Sequence, residues 1–225
     1  GFVNMLMKAL REERPDHVVV VFDARGAADG RRALYPEYKA HRDAQPEDLS
    51  LQVPLVRELV GAYQIPILEV TGCEADDVIA TLVAAAPSDM SVAILSTDKD
   101  LMQLVSERVA LIDTMKGRHY GPAEVEERFG VPPARVLDLR ALVGDPSDNI
   151  PGVKGIGEKG AAKLITEYGT LENLLAHAGE IAAARTRTAL QEQADAARLS
   201  KRLAALRDDV ALPLTLADLV RREPD

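Results

Sequence analysis

Carboxylates recur in four short clusters along the chain: Asp23; Glu74, Asp76 and Asp77 in CEADDV; Asp98 and Asp100 in TDKD; and Asp145 and Asp148 in GDPSDN. Each cluster alone has a plain structural explanation. Asp23 closes an apolar run. Asp98 is placed to cap a helix opening at Lys99, with Asp100 in its first turn, and the Glu74 group stands the same way before a helix near Ala75. Asp145 and Asp148 flank Pro146 as turn residues do. Taken together they point to other chemistry. Carboxylates that converge on one crevice repel and cannot all stay ionised without cations. Oxygen donors with no His or Cys beside them select Mg²⁺ or Mn²⁺ over zinc, and His17, His41, His119 and His177 are dispersed without ligand spacing. Donors from four segments suit two or more ions ~3.5–4 Å apart, which clamp an in-line phosphoryl displacement.

Such a site needs positive partners. YPEYKAHR places Tyr35, Tyr38, Lys39, His41 and Arg42 in one stretch, and five Arg or Lys between Arg25 and Arg42 face only Asp29 and Glu37. These cations are expected to contact phosphate oxygens and offset charge developing there; a solvated charged loop is the plain alternative. Further on, PGVKGIGEKGAAK contains Gly155, Gly157 and Gly160 in a G-x-G-x-x-G pattern. A dinucleotide site would require a strand before it, whereas GDPSDNIPGVK is a turn. The stretch instead predicts a helical hairpin whose Gly152–Gly160 turn offers backbone amides to a phosphate. Lys154, Lys159 and Lys163 add charge against Glu158, a pattern that grips a duplex backbone without reading its sequence. Cys73 has no His nearby in sequence and is expected to be a small buried thiol.

The elements that must hold these groups follow from periodicity. Residues 1–14 carry a helical apolar stripe. HVVVVFD (17–23), SVAILSTD (91–98) and VALID (109–113) are apolar runs ending in Asp, the pattern of strands buried in a parallel sheet. Helical stretches at 51–63 and 75–86 lie between them, which predicts an α/β fold with a mostly parallel central sheet and flanking helices. Residues 25–48 form a polar insertion after a strand end, where such folds place ligand-handling loops. From Tyr120 onward everything reads as helix: 122–129, 133–143, 158–168, 171–178 and a long Ala-rich run at 182–206, followed by an extended tail. Residues 1–119 are thus expected to form the α/β core and 120–225 a helical region with its hairpin at 151–169.

Composition narrows the class. The 225 residues are 47% hydrophobic, enough for one or two packed domains, with ordinary Gly and Pro and no apolar run of membrane-spanning length. One cysteine excludes an internal disulfide framework, so a reducing cytoplasm is expected. Aromatics are 4% with no Trp, which argues against base stacking as the main nucleic-acid contact. The net charge of −9 looks wrong for a nucleic-acid protein. The eight clustered acids account for nearly all of it, and loaded with divalent ions they attract phosphate instead.

VFDARG, YPEYKAHR, GCEADDVIATL, LSTDKDLMQLV, ALVGDPSDNIPGVKGIGEKGAAKLI and the closing RREPD, in that order, resemble the 5′→3′ exonuclease domain of bacterial DNA polymerase I, in the flap endonuclease superfamily. The resemblance implies a PIN/flap-nuclease-like fold with a helical arch at 25–48 and a helix-three-turn-helix DNA-binding motif. It implies a metal-dependent nuclease that cuts near the junction of a 5′ flap and duplex DNA and degrades 5′ ends, in replication (RNA primer removal) and repair. By position, Asp23, Glu74, Asp76, Asp77, Asp98, Asp100, Asp145 and Asp148 match its metal-binding acids. Asp23, Glu74, Asp77 and Asp98 are expected at the first ion, and Asp100, Asp145 and Asp148 at the second. Lys39 and Arg42, beside Tyr38, match the arch residues that steer the scissile phosphate, and the turn carrying Gly152, Lys154, Gly155, Gly157, Lys159, Gly160 and Lys163 matches the duplex-binding motif, whose carbonyls can also hold K⁺. Family members open with a strand ending in a ligand Asp that is not found here, so a missing upstream segment is expected; RREPD points to a polymerase following in the same chain.

Two other functions were weighed on the residues. A structure-specific DNA-binding module that no longer cuts would follow from the lacking first carboxylate, against which stand the eight remaining acids. A phosphatase of the haloacid dehalogenase type needs a second Asp two residues after Asp23, and Arg25 is there.

Overall fold

A computed structural model describes residues 1–42 and 46–223; Asp43–Gln45 of the predicted arch and Pro224 and Asp225 of the closing motif lie outside the described residues. The apolar stripe folds as α1 (Phe2–Glu12), which packs Leu6 and Leu10 against Val60 and Ile65 beside α3 (Glu47–Ala62). Before α3 lies α2 (Asp29–Leu34), a short helix inside a segment that showed no core periodicity. None of its residues is buried, so no stripe could have marked it.

The strands are shorter than their apolar runs. β1 (Val20–Val21) pairs in parallel with β2 (Ile67–Leu68), in the register Val20↔Ile67 and Val21↔Leu68. α4 (Ala75–Ala85) leads into β3 (Val92–Leu95), which pairs in parallel with β4 (Val109–Asp113). β5 (Arg118–Tyr120), too polar to register as a strand, pairs antiparallel with β4. The parallel pairs agree with the α/β prediction, but the single central sheet is corrected: β1–β2 and β3–β4–β5 are separate sheets.

The helical half follows its predicted boundaries closely: α5 (Pro122–Phe129), α6 (Pro133–Val143), α7 (Glu158–Tyr168) and α8 (Leu171–Ala176). The long run at 182–206 is two helices, α9 (Ala184–Glu192) and α10 (Ala194–Ala204). They meet at Gln193, whose side-chain Oε1 accepts the Lys154 N–H of the Gly-rich loop at 2.8 Å. One apolar core runs from Ile94 and Leu111 through Val136, Leu139 and Leu142 to Leu171 and Leu190, tying the sheet to the helices. At ~1.5–3 kcal/mol per fully buried aliphatic side chain, this core is the main term fixing the two halves together. The last segment is no free tail. It forms a 3₁₀ turn at Leu216–Leu219 and returns to the start of the chain, where Val18 N–H donates to the Leu219 carbonyl at 2.8 Å.

Candidate active site

Four backbone devices deliver the acids. Asp23 follows β1, and its Oδ1 accepts the Ala75 N–H, at the first residue of α4, at 2.7 Å. Glu74 caps that helix and Asp76 and Asp77 sit in its first turn, where the positive end of the helix dipole favours carboxylates. Asp98 Oδ1 accepts the Asp100 N–H at 2.8 Å, so the loop after β3 winds into a 3₁₀ turn at Asp100–Leu104. The fourth is a tight loop after α6: Asp145 N–H and Ile150 N–H each donate to the other's carbonyl, at 2.9 and 2.8 Å. Glycine is required on both sides of it. Gly144 and Gly152 have φ of +74° and +63°, and a Cβ on either would lie 2.5–2.6 Å from backbone atoms near the other.

Seven of the eight predicted acids, Asp23, Glu74, Asp76, Asp98, Asp100, Asp145 and Asp148, line one cavity of about 460 Å³ with Lys39, Arg42 and Lys99. Asp98 and Asp148, fifty residues apart, share it. Asp77 does not line it: 2% exposed, it turns to Arg31, which the sequence analysis missed. A smaller cavity of about 140 Å³ between α1 and the β4–β5 hairpin holds Glu12, Glu13 and His119 and no such gathering.

Cations hold the acids apart. Lys39 Nζ is 2.7 Å from Glu74 Oε1 and 3.6 Å from Asp148 Oδ2, and Arg42 pairs with Asp148. Tyr38, a buried residue, donates its hydroxyl to Glu74 Oε2 at 3.1 Å; burial and the charges of Glu74 and Asp148 push that hydroxyl well above the usual phenol range. Lys99 Nζ lies 3.3 Å from Asp145 Oδ2, and Arg140, 3% exposed, pairs with both Asp145 and Asp100. Accordingly, among the described residues no three His, Cys, Asp or Glu side chains are arranged to hold one metal ion as they stand.

The donor set nonetheless fits divalent ions. Burial, then the charges of Asp98 and Asp23, push the Asp76 carboxyl up to about 7, which shows negative groups crowded beyond what the neighbouring ammonium groups neutralise. Burial raises Asp100 as well, with Asp98 and Asp145 adding to it against Arg140, and its Oδ1 is buried without a hydrogen bond although Arg140 Nε is 2.8 Å away. Asp145 goes the other way: burial opposes ionisation, but hydrogen bonds from Ser147 and the charge of Arg140 outweigh it and hold the carboxyl at about 2. All seven acids offer carboxyl oxygens to the cavity, and no His or Cys lines it.

The predicted helical hairpin is present. α6, the 144–157 loop and α7 form the hairpin, Gly155 has φ +96°, and Lys154, Lys159 and Lys163 are exposed.

Comparison with known proteins settles the family. A family model described as the 5′-3′ exonuclease N-terminal resolvase-like domain matches residues 1–130, and one described as the 5′-3′ exonuclease C-terminal SAM fold matches residues 131–225. The chain belongs to the 5′-3′ exonuclease family. The chain is 45% identical over 230 residues to the DNA polymerase I of Bacillus caldotenax, covering 100% of this chain and 26% of that protein. It is 46% identical over 228 residues to the DNA polymerase I of Rhizobium leguminosarum, covering 98% and 22%. The chain thus spans about a quarter of the length of these relatives. Among solved structures it resembles the bacteriophage T5 D15 protein co-crystallized with metal ions, with a TM-score of 0.77 and 25% identity over 90% of this chain and 79% of that one. The flap-nuclease-like fold expected from the sequence is borne out.

Proposed function

We propose that this 5′-3′ exonuclease hydrolyses DNA phosphodiesters at 5′ ends and at 5′-flap junctions, using two or more Mg²⁺ or Mn²⁺ ions held by Asp23, Glu74, Asp76, Asp98, Asp100, Asp145 and Asp148. The convergence of these seven carboxylates on one cavity beside Lys39 and Arg42 carries the reading. Bound divalent ions supply an activated water and charge stabilisation on the attacking and leaving oxygens. The chain's own residues do the rest. Lys39 and Arg42 release Glu74 and Asp148 and turn to the scissile phosphate, whose negative charge takes the place of the carboxylates as their partner. Asp76, buried beside Asp23 and Asp98, would be among the residues that hold the ions. Tyr38 stays protonated and keeps its hydrogen bond to Glu74, holding that carboxylate at the cavity wall.

The hairpin turn at Gly152–Gly160 with Lys154, Lys159 and Lys163 binds the duplex through its phosphates, independent of sequence, and its carbonyls are the groups available to K⁺. In the longer protein the substrates are DNA and RNA primer strands met during replication and repair in the bacterial cytoplasm at the nucleoid, with a polymerase joined in the same chain. Among the described residues no helix is long and apolar enough to cross a membrane.

The test is cleavage of a 5′-labelled flap duplex with Mn²⁺, against a chelator control. Release of flap-length oligonucleotides only with the metal supports the reading. Tight flap binding with no cleavage would assign the chain to structure-specific binding alone.

A further inference from the structure

We propose that Arg31 is the positioning residue of the carboxylate cavity and that Asp77 is its counter-ion, not a ligand of the divalent ions; the inference rests on the metal-dependent function above. A guanidinium has five N–H donors, and Arg31 uses all of them. Nε donates to the Leu203 carbonyl at 2.9 Å and Nη2 to the Ala205 carbonyl at 2.8 Å, both at the end of α10. Nη2 and Nη1 take Asp77 Oδ1 and Oδ2 at 2.7 and 2.8 Å, and Nη1 also reaches Glu74 Oε2 at 2.7 Å. No donor is left for a phosphate, which separates Arg31 from Lys39 and Arg42.

Asp77 accepts three hydrogen bonds, one on Oδ2 and two on Oδ1. Besides the two Arg31 bonds, its Oδ1 accepts the Arg207 N–H at 2.9 Å, closing the strap after α10 onto α4. It stands one residue after Asp76 on the helix, a spacing that turns it away from the cavity face. Glu74 is divided between two cations: Oε2 faces Arg31, and Oε1 faces Lys39 Nζ at 2.7 Å. The two differ in what holds them. The Arg31 guanidinium is bound to carbonyls at the end of α10 as well as to carboxylates, whereas the Lys39 ammonium is paired only with the carboxylates Glu74 and Asp148. When Lys39 swings to substrate, Glu74 keeps Oε2 on Arg31 and presents Oε1 alone to the cavity. Arg31 thereby fixes which oxygen Glu74 offers, and ties that choice to the helical half of the molecule.

The test is a calorimetric Mn²⁺ titration with melting curves on the whole chain, comparing wild type with Asp77→Asn, Arg31→Lys and the double change Arg31→Met with Asp77→Leu. The double removes both buried charges and restores stability that either single loses. Asp77→Asn is expected to melt lower while binding the wild-type number of ions. Arg31→Lys and the double are expected to weaken Mn²⁺ by about 10–100-fold, the cost of losing a group that orients a ligand, even where the double melts normally. Loss of a bound ion in Asp77→Asn, with normal uptake by wild type, makes Asp77 a ligand and overturns the assignment. Wild-type affinity in a stable double overturns the positioning role. A wild-type protein that takes up no Mn²⁺ overturns the metal-dependent function and this inference with it.

Discussion

Lys39 and Asp148 are joined twice: the Lys39 backbone N–H donates to the Asp148 carbonyl at 3.0 Å, and the Lys39 ammonium lies 3.6 Å from the Asp148 carboxylate. The first bond holds Lys39 at φ +54°, a left-handed conformation that a lysine rarely adopts unaided. Asn149 reinforces it from the same turn, with Nδ2 donating to the Glu37 carbonyl at 2.8 Å. Residues 37–39 and the fourth acidic cluster are therefore tied by two hydrogen bonds, and Lys39 lines the cavity from that turn.

Lys39→Ala should leave duplex affinity within a few-fold and slow single-turnover cleavage by about 10²–10³, the usual loss when one preorganised cationic or donor group at the reacting centre is removed. Binding and cleavage falling together would place Lys39 in substrate docking instead.

Asp76 makes the metal-free protein sensitive to pH. Its folded carboxyl holds a proton up to about 7, while the unfolded chain releases it near the ordinary value of 3.8. Between those values the folded state binds more protons, so stability falls as pH rises through the window. Melting temperature without metal should drop from pH 5 to pH 8, Asp76→Asn should shrink that drop, and Mn²⁺ at pH 8 should reverse it. An equal drop in both proteins would remove Asp76 as the cause.

Gly144→Ala and Gly152→Ala should each cost at least about 1–3 kcal/mol, because each forces a side chain into the left-handed region against backbone 2.5–2.6 Å away. Gly160→Ala is the contrasting case. It lies in α7 with only ordinary contact to Ile156 at 3.9 Å, so it should stabilise the free protein by about 0.5–1 kcal/mol. If duplex backbone approaches this turn closely, the same change weakens DNA binding; denaturant melts and binding isotherms read the two effects separately.

Lys159→Ala should reduce the slope of log affinity against log salt for duplex by about 1, without altering cleavage of bound substrate. An unchanged slope would move the duplex path away from α7.

Much of this site was legible in the sequence because the chemistry demanded rare groupings. The acids, Lys39, Arg42 and the Gly-rich turn all stand in local motifs whose residue types explain themselves. Arg31 did not, since it sits in an Arg-rich segment without periodicity, and its partners, Leu203 and Ala205, are carbonyls far along the chain. Asp77 could not be told from its neighbours: Glu74 and Asp76 line the cavity, while Asp77, one residue further round the helix, pairs with Arg31. The strands were found but overextended, because β-branched runs mark burial, while pairing at Val20–Val21 and Val92–Leu95 depends on partners brought from elsewhere. The junction at Gln193 was invisible, since its bond to the distant Lys154 leaves no mark on an Ala-rich run.

The most direct measurement is Mn²⁺ binding to the wild-type chain beside Asp98→Asn and Asp148→Asn, with the exposed Asp209→Asn as control. These two acids come from segments fifty residues apart and line the same cavity. Loss of affinity in both, with Asp209→Asn unchanged, is the predicted result. Equal Mn²⁺ uptake by all four proteins would contradict it.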